Sequence, residues 1–377
     1  MKMKAEKVFV VSDNITSSLG FSTIENIRKI IARQTGIRYV EPGRFSHRTL
    51  PFALVNDGQL NKMAGIASIL GHFTRLERMM LLSASDAISD SGIDAADSRT
   101  VFVVTTTKGN IDRCEPLWVL GEQIRNYFGN PNPAVVVSNA CISGALAVEI
   151  AARMLRNGQY DHAVVSGGDL VSRFVVSGFE SFLALSEHPC RPYDACRDGL
   201  TLGEGAASMV LSVCPPSGKT GNMVAISGGA SSCDAVHISA PDRTGTGLSL
   251  AIGRALNHSG VRAAEIDAVC AHGTATVYND EMESHALNLA NLSKTPIYSL
   301  KGYWGHTLGA AGLMETVAVV HSLMQQRLFR TFGFESCGTS IQLNVVDQTH
   351  SANLRHILKT ASGFGGCNVA LVVSKIE

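Results

Sequence analysis

Four stretches of the sequence carry side chains suited to covalent and acid–base chemistry. Ser138-Asn-Ala-Cys141-Ile-Ser-Gly144 lies between an apolar run and a helix, Ile142–Arg156, that is apolar on nearly every side. Only Glu149, Arg153 and Arg156 make a polar stripe on it, so the helix belongs in a core. Cys141 then sits at a helix N-terminus, where unpaired N–H groups and the macrodipole favour an anion, lower a thiol's pKa and raise its nucleophilicity. Taken alone, a buried free cysteine more often only packs. Val269-Cys-Ala-His272-Gly-Thr274-Ala-Thr276 presents an imidazole with two hydroxyls at alternate positions, a pattern that an ordinary turn histidine also gives. Ser299-Leu-Lys301-Gly-Tyr-Trp-Gly-His306-Thr-Leu-Gly-Ala-Ala-Gly312 brings Lys301 and His306 to the head of a mostly apolar helix, Leu313–Met324, that carries Glu315. A carboxylate in such a helix is buried or half-buried and needs a partner, and Lys301 is the candidate. Gly363-Phe364-Gly365-Gly366 feeds a strand, where a phosphate loop would feed a helix. It reads as a flexible loop with one bulky plug, Phe364.

The elements that hold these stretches alternate. Val8–Val11, Val101–Thr105, Ala134–Ser138, Ala163–Ser166, Ala207–Val213, Val224–Ile226, Ala268–Cys270, Ile297–Ser299, Leu354–Lys359 and Val369–Val373 are short β-branched or apolar runs. Between them, Ser22-Thr-Ile-Glu25 reads as a capping box opening a helix that stops at Gly36. Arg75–Asp90 and Leu248–His258 have helical periodicity and end before Gly92 and Gly260. Asn279 and Asp280 are candidate caps for a helix running to about Leu292. The alternation predicts an α/β class with largely parallel, buried strands. One segment rich in turn residues, Cys214–Asn222, divides the chain near its middle. The two sides echo each other: Gly203–Val213 matches Gly363–Val373, and Ser138–Arg156 matches Ser299–Gln326. A duplication is expected, with an N-terminal half over residues 1–214 and a C-terminal half over 223–377, although ordinary βαβ similarity gives a weaker version of the same pattern.

Composition limits the function classes. The 377 residues are 45% hydrophobic, so disorder is excluded and a large core is affordable. Lys and Arg total 32, as do Asp and Glu, and no basic stretch stands out, which argues against nucleic-acid binding. Charged residues make up only 17% against about a quarter in an average chain, which points to surface buried in an oligomer. No apolar run nears the roughly 18 residues of a membrane span, and the opening MKMKAEKVFVVSD reads as a first strand rather than a signal peptide. Nine scattered cysteines with no CxxC pair fit neither a disulfide framework nor a zinc site, and fit a cytoplasmic protein.

Taken together and in order, N-A-C-x-S-G, Arg191-Pro-Tyr-Asp194 through Gly205, A-H-G-T-x-T, K-G-x-x-G-H-T-L-G-A-A-G and G-F-G-G-x-N resemble the β-ketoacyl synthases, the condensing enzymes of fatty-acid and polyketide synthesis. The resemblance runs from Val8 to the last strand. It implies a thiolase-like αβαβα five-layer sandwich of two duplicated halves, with the nucleophilic cysteine in the first half and two catalytic histidines in the second. It carries over Cys141 as acyl acceptor, His272 and His306 as the histidines of the malonyl half-reaction, Lys301 with Glu315 as a supporting ion pair, and Thr274 and Thr276 as holders of a phosphopantetheine arm. Phe364, flanked by Gly363 and Gly365, becomes a gate, and its N–H joins that of Cys141 in an oxyanion hole. The reaction implied is a decarboxylative condensation of an acyl thioester with malonyl-carrier protein, in fatty-acid or specialised polyene or polyketide biosynthesis, with no metal, nicotinamide or flavin. The partners implied are an acyl carrier protein and either an identical chain or a related, chain-length-setting subunit.

The sequence departs from the family pattern at Ile142, bulkier than usual and expected to narrow the acyl pocket, and at Cys196, Asn279 and Ser362. The segment between Thr107 and Cys141 is shorter than in elongation enzymes. Thiolases, Cys-His-Asn priming enzymes and non-catalytic chain-length subunits are disfavoured by the two histidine motifs, Lys301 and Cys141. A Cys–His thioester hydrolase would use Cys141 and His272 without needing Lys301 or His306. A scaffold protein would need none of them.

Overall fold

All ten runs marked as strands by their composition fall within one sheet. The first half of the chain supplies β1 (Phe9–Ser17), β2 (Thr100–Thr105), β3 (Val135–Val137), β4 (His162–Asp169) and β5 (Gly205–Ser212). The second supplies β6 (Met223–Cys233), β7 (Ala268–Cys270), β8 (Ile297–Tyr298), β9 (His356–Gly363) and β10 (Cys367–Ile376). The computed structural model describes residues 7–69, 71–216, 223–237 and 241–376. Most of the turn-rich segment Cys214–Asn222 and the first six residues therefore lie outside the described residues.

The sheet order is β3-β2-β4-β5-β1-β6-β10-β9-β7-β8. Each half thus uses the same order, its third strand at the outer edge and its first at the seam. The seam itself is short among the described residues: β1 pairs with β6 through Phe9↔Ala225 and Val10↔Val224, with the Ile226 N–H also donating to Val8 O. The likeness extends to single contacts. His162 pairs with Ser212 across β4 and β5, its Nδ1 3.0 Å from the hydroxyl. His356 pairs with Ser374 across β9 and β10, at 2.8 Å.

The expectation of largely parallel strands is corrected. β2 runs parallel to β3 and β4, and β7 to β8 and β9. The five pairings between β4 and β9 through the seam are antiparallel. A strand covered on both faces reads as a continuous apolar run whichever way its neighbour points, so composition did not separate the two.

Six helices complete the layers: α1 (Arg75–Ser91), α2 (Leu117–Tyr127), α3 (Ser143–Arg156), α4 (Thr246–Ser259), α5 (Val277–Leu289) and α6 (Ala311–Gln325). α3 and α6 pack on each other and each touches strands of both half-sheets, so they form the central layer. α1 and α2 cover the outer face of the first half-sheet, and α4, with α5 against it, covers that of the second. The result is the five-layer αβαβα sandwich. The central layer is the larger core, where Val148, Ala152, Leu313, Val317 and Val320 from both helices are buried together. Truncating a leucine in such a layer typically costs about 2–5 kcal/mol.

Local signals were legible to differing degrees. α1 and α4 end at Gly92 and Gly260 as the spacing predicts. The helix opened by Ser22 ends at Ile31, short of Gly36, because Arg33 takes a left-handed φ of 57° and the Gly36 N–H bonds to Tyr303 O instead. Its Glu25 side chain bonds the N–H of Phe21 and not that of Ser22, so the box closes one residue early. α5 starts after Thr276, so Asn279 and Asp280 lie inside the helix and do not cap it.

Candidate active site

Cys141 sits in the tight turn between β3 and α3. Ala140 adopts φ 45°, and Ser143 Oγ accepts from the Asn139 N–H (2.7 Å) and donates to Ala140 O (2.6 Å), which fixes the turn. The thiol is 7% exposed and lines a cavity of about 400 Å³. His272, His306, Thr274, Thr276, Gly363 and Phe364 line the same cavity. The structure therefore brings together the cysteine and both histidines from three stretches far apart in sequence.

The expected low thiol pKa is corrected. Burial pushes Cys141 up to about 11, against the opposing pull of the Lys301 and Lys108 charges and the Phe364 N–H. A helix N-terminus contributes at most about 2 kcal/mol, or about 1.5 pKa units, while full burial can shift a group by several. Burial wins, and Cys141 rests as a thiol.

Both imidazoles are held as neutral donors. Burial first, then the Lys301 charge, keeps His272 and His306 well below the usual histidine range. Lys301 Nζ has three donors, and three acceptors take them: Glu315 Oε1 (2.6 Å), His272 O (2.6 Å) and His272 Nδ1 (3.2 Å). His306 Nδ1 accepts the Leu308 N–H at 3.3 Å. In each ring the accepting Nδ1 leaves the proton on Nε2. The two rings meet edge to face with centroids 5.2 Å apart.

The expected Lys301–Glu315 pair is present and fully buried, and the structure adds a third member that the sequence reading missed. Lys359 Nζ lies 2.8 Å from Glu315 Oε2. Two further carboxylates serve the histidine loop: Glu283, which the sequence does not single out, and Asp280, expected only as a helix cap. Glu283 Oε1 accepts the His272 N–H (2.8 Å), and its Oε2 accepts the Gly273 N–H (2.6 Å) and the Tyr193 hydroxyl (2.8 Å). Asp280 accepts the N–H groups of Thr274 (3.0 Å) and Tyr193 (2.7 Å), and burial raises it to about 6. Asn279, one of the departures, bonds both carboxylates with its amide. The Arg191–Gly205 stretch gains a role here. Tyr193 anchors the histidine loop, while Thr201 O and the Gly203 N–H grip the backbone of His306 at 2.7 and 3.0 Å.

Around the mouth, Phe364 stacks on Phe179 (5.5 Å between centroids) and meets Phe182 edge-on (5.3 Å). Gly365 and Gly366 hold φ of 87° and 72°, a backbone that a larger residue adopts only with strain. The Thr274 and Thr276 hydroxyls lie 2.9 Å apart on the cavity wall. Ile142 does not line this cavity. It is 1% exposed and packs in the central core, so the expectation that it narrows the acyl pocket is corrected for this cavity. Ser362 does line the cavity and donates to Asn368 Oδ1 at 2.7 Å. Among the described residues no cluster of three or more His, Cys, Asp and Glu side chains could hold a metal ion, and no helix is long and apolar enough to cross a membrane.

Comparison with known proteins agrees with this geometry. The model of the β-ketoacyl synthase N-terminal domain matches residues 5–213, and that of the C-terminal domain matches residues 223–335. A Streptomyces cyaneus protein named as a polyketide β-ketoacyl synthase 1 is 30% identical over 344 residues, covering 80% of this chain and 82% of its own. One from Streptomyces coelicolor, named for actinorhodin, is 32% identical over 326 residues, covering 83% and 68%. The solved ishigamide ketosynthase/chain length factor superposes with a TM-score of 0.87 at 25% identity, covering 99% of this chain and 100% of that one. With a cysteine and two neutral imidazoles facing one cavity, and family matches running through both halves, the chain belongs to the β-ketoacyl synthases, a family of acyltransferases.

Proposed function

We propose that this chain joins an acyl group to a malonyl-derived unit on a carrier protein, with the labour divided between its halves: residues 1–214 carry the acyl-accepting Cys141 and residues 223–377 carry His272 and His306. The observation that supports this best is the saturation of Lys301. With all its donors engaged, His272 has Nε2–H left for the cavity, and His306 matches it.

Cys141 gives its proton to solvent and attacks an acyl thioester as a thiolate, since each imidazole already carries Nε2–H and has its Nδ1 engaged, and the departing carrier thiolate takes a proton back. The N–H groups of Cys141 and Phe364 stabilise the tetrahedral oxyanion, which collapses to acyl-Cys141 and the free carrier thiol. A malonyl thioester then enters, its pantetheine arm beside Thr274 and Thr276. The bond to its carboxylate breaks, CO₂ leaves, and the electron pair becomes an enolate whose oxygen accepts from the two Nε2–H groups. The enolate carbon bonds to the acyl carbon, Cys141 leaves as thiolate and takes a proton from solvent, and a 3-oxoacyl thioester departs. A thioester hydrolase needs only one of the two histidines, so the paired donors favour condensation.

The partner subunit is part of the proposal. The low charge content and the edge strand β3 suit a dimer burying apolar surface, and a related chain-length-setting subunit is favoured over an identical copy by the likeness to the ketosynthase/chain length factor assembly. A cytoplasmic location goes with its free cysteines.

The test measures ¹⁴CO₂ release from labelled malonyl-carrier protein beside gel detection of the acyl-enzyme. Cys141→Ala abolishes acyl transfer and condensation but leaves decarboxylation. His306→Ala and His272→Ala still form acyl-enzyme and lose on the order of 10²–10³ in decarboxylation. Lys301→Ala weakens both steps. Wild-type decarboxylation in both histidine variants would overturn the reading and put the hydrolase ahead.

A further inference from the structure

Behind the histidines, and out of reach of any substrate, the structure buries one more cation than a supporting ion pair needs. Glu315, on α6, has a lysine at each oxygen: Lys301 from the short helix Lys301–Trp304 after β8 at Oε1 (2.6 Å), and Lys359 from β9 at Oε2 (2.8 Å). All three residues are 0% exposed. Lys359 also donates to Thr360 O. Burial works against its charge, but Glu315 prevails and holds the ammonium above the ordinary lysine value.

We propose that Lys359 is a positioning residue of this site, acting through Glu315 to fix Lys301 and, through Lys301, the ring of His272. This rests on the roles proposed above for the histidines. The physical need is twofold. A carboxylate held at one oxygen can swing about the other, and a buried carboxylate oxygen without a partner is costly. With both oxygens taken, Lys301 has one place to stand, and its remaining donors fall on His272 O and His272 Nδ1.

Formal charges give the second need. The groups facing Lys359 are Glu315 from α6, Lys301 from the short helix after β8, Cys270 from β7, and Glu283 from α5, which accepts the Thr360 hydroxyl at 3.2 Å. His272 and His306 lie in front of them and feel the Lys359 charge, and Cys270, pushed up to about 12 by burial, is neutral. Two lysines therefore balance two carboxylates. Without Lys359 the array behind the imidazoles would carry a net negative charge. That charge favours imidazolium over the neutral ring whose Nδ1 accepts from Lys301, and it opposes both a Cys141 thiolate and a developing enolate.

The experiment titrates the histidine imidazoles by ¹⁵N NMR in the full-length chain with no substrate present, so it stands apart from the ¹⁴CO₂ assay and can fail or succeed independently of it. Four proteins are compared: wild type, Lys359→Met, Glu315→Gln, and Lys359→Met/Glu315→Gln. Lys359→Met removes a positive charge, so the His272 and His306 titrations move up by roughly one unit, as expected for loss of a nearby charge. Glu315→Gln moves them down. The double variant keeps charge balance and leaves no stranded carboxylate, so it returns toward wild type. The acid limb of acyl-enzyme formation follows the same order. If Lys359→Met does not fold, the double variant is compared with Glu315→Gln, from which it differs only at Lys359, and its titrations lie higher by about the same amount. Imidazole titrations that do not respond to loss of Lys359 in either background would overturn the proposal and leave the residue a structural ion pair.

Discussion

Gly144 and Gly312 face each other where the two central helices cross. A Cβ on Gly144 would lie 2.5 Å from the Leu313 backbone nitrogen, and one on Gly312 would lie 2.5 Å from that of Ala145. Both are second residues of their helices, so the crossing point is also where the turn of Cys141 and the loop of His306 leave the core.

Gly312→Ala therefore forces α3 and α6 apart. Overpacking of this kind typically costs about 1–3 kcal/mol. Urea unfolding is expected to show that loss, and acylation and decarboxylation are both expected to fall, since thiol and imidazole no longer share one geometry. Full activity with unchanged stability would mean the helices can part without cost.

Phe364→Ala removes the ring that stacks on Phe179 and meets Phe182. Cys141 is expected to remain acylated, but with weaker discrimination across a panel of acyl chain lengths read by mass spectrometry of the intact chain. Unchanged selectivity would rule out the gate.

Alkylation of resting Cys141 should be slow at neutral pH and climb about tenfold per pH unit toward a plateau near 11, because only the thiolate reacts. The exposed Cys114 serves as the internal comparison. Peptide-resolved iodoacetamide labelling from pH 6 to pH 10 reads both. A Cys141 plateau below pH 8 would show that a thiolate is already present.

Acid destabilises this fold through its histidines. His272 and His306 stay neutral well below 6.5 in the native state, whereas the unfolded chain protonates them near 6.5. The unfolded state then binds more protons, so stability is complete above about pH 6.5 and falls as the pH drops through that window. The loss is up to about 1.4 kcal/mol per histidine per unit. His356, lowered by burial, adds with the same sign. Asp280, raised to about 6, opposes it below that pH, because its native form takes the proton first. Urea midpoints at pH 7.5 and 5.5 measure the difference, and His306→Ala is expected to flatten it. No slope in that window would contradict the neutral imidazoles.

The strands and the side chains that share the cavity were legible because each depends on local pattern: an apolar run, or a polar residue beside glycines at a strand end. The supports were not. Lys359 looked like the polar end of a strand, since its partner Glu315 lies on another element and nothing in the spacing joins them. The sequence marks Asp280 as a helix cap and does not single out Glu283, yet both turn inward to hold the N–H groups of the His272–Ala275 loop. A carboxylate that satisfies backbone donors leaves no periodic trace, because its partners are peptide groups common to every residue. Strand direction was hidden for a related reason: burial on both faces sets composition, and pairing sense does not.

The matched histidines of β4 and β9 give the two halves a common ruler. The same number of residues beyond them stand Asp169 in the first half and Gly363 in the second, and an equal step before the crossing glycines stand Cys141 and Gly309. Beside Gly363 the backbone opens on the thiol and its cavity. At the mirrored place the Asp169 carboxylate is buried and accepts the N–H groups of Gly309 (2.7 Å) and Thr107 (2.9 Å) and the Thr106 hydroxyl (2.9 Å). The two-fold repeat thus sets a thiol beside an open cavity at one place and a hydrogen-bonded, buried carboxylate at its mirror, so the halves share a scaffold and differ in what stands at its matched positions.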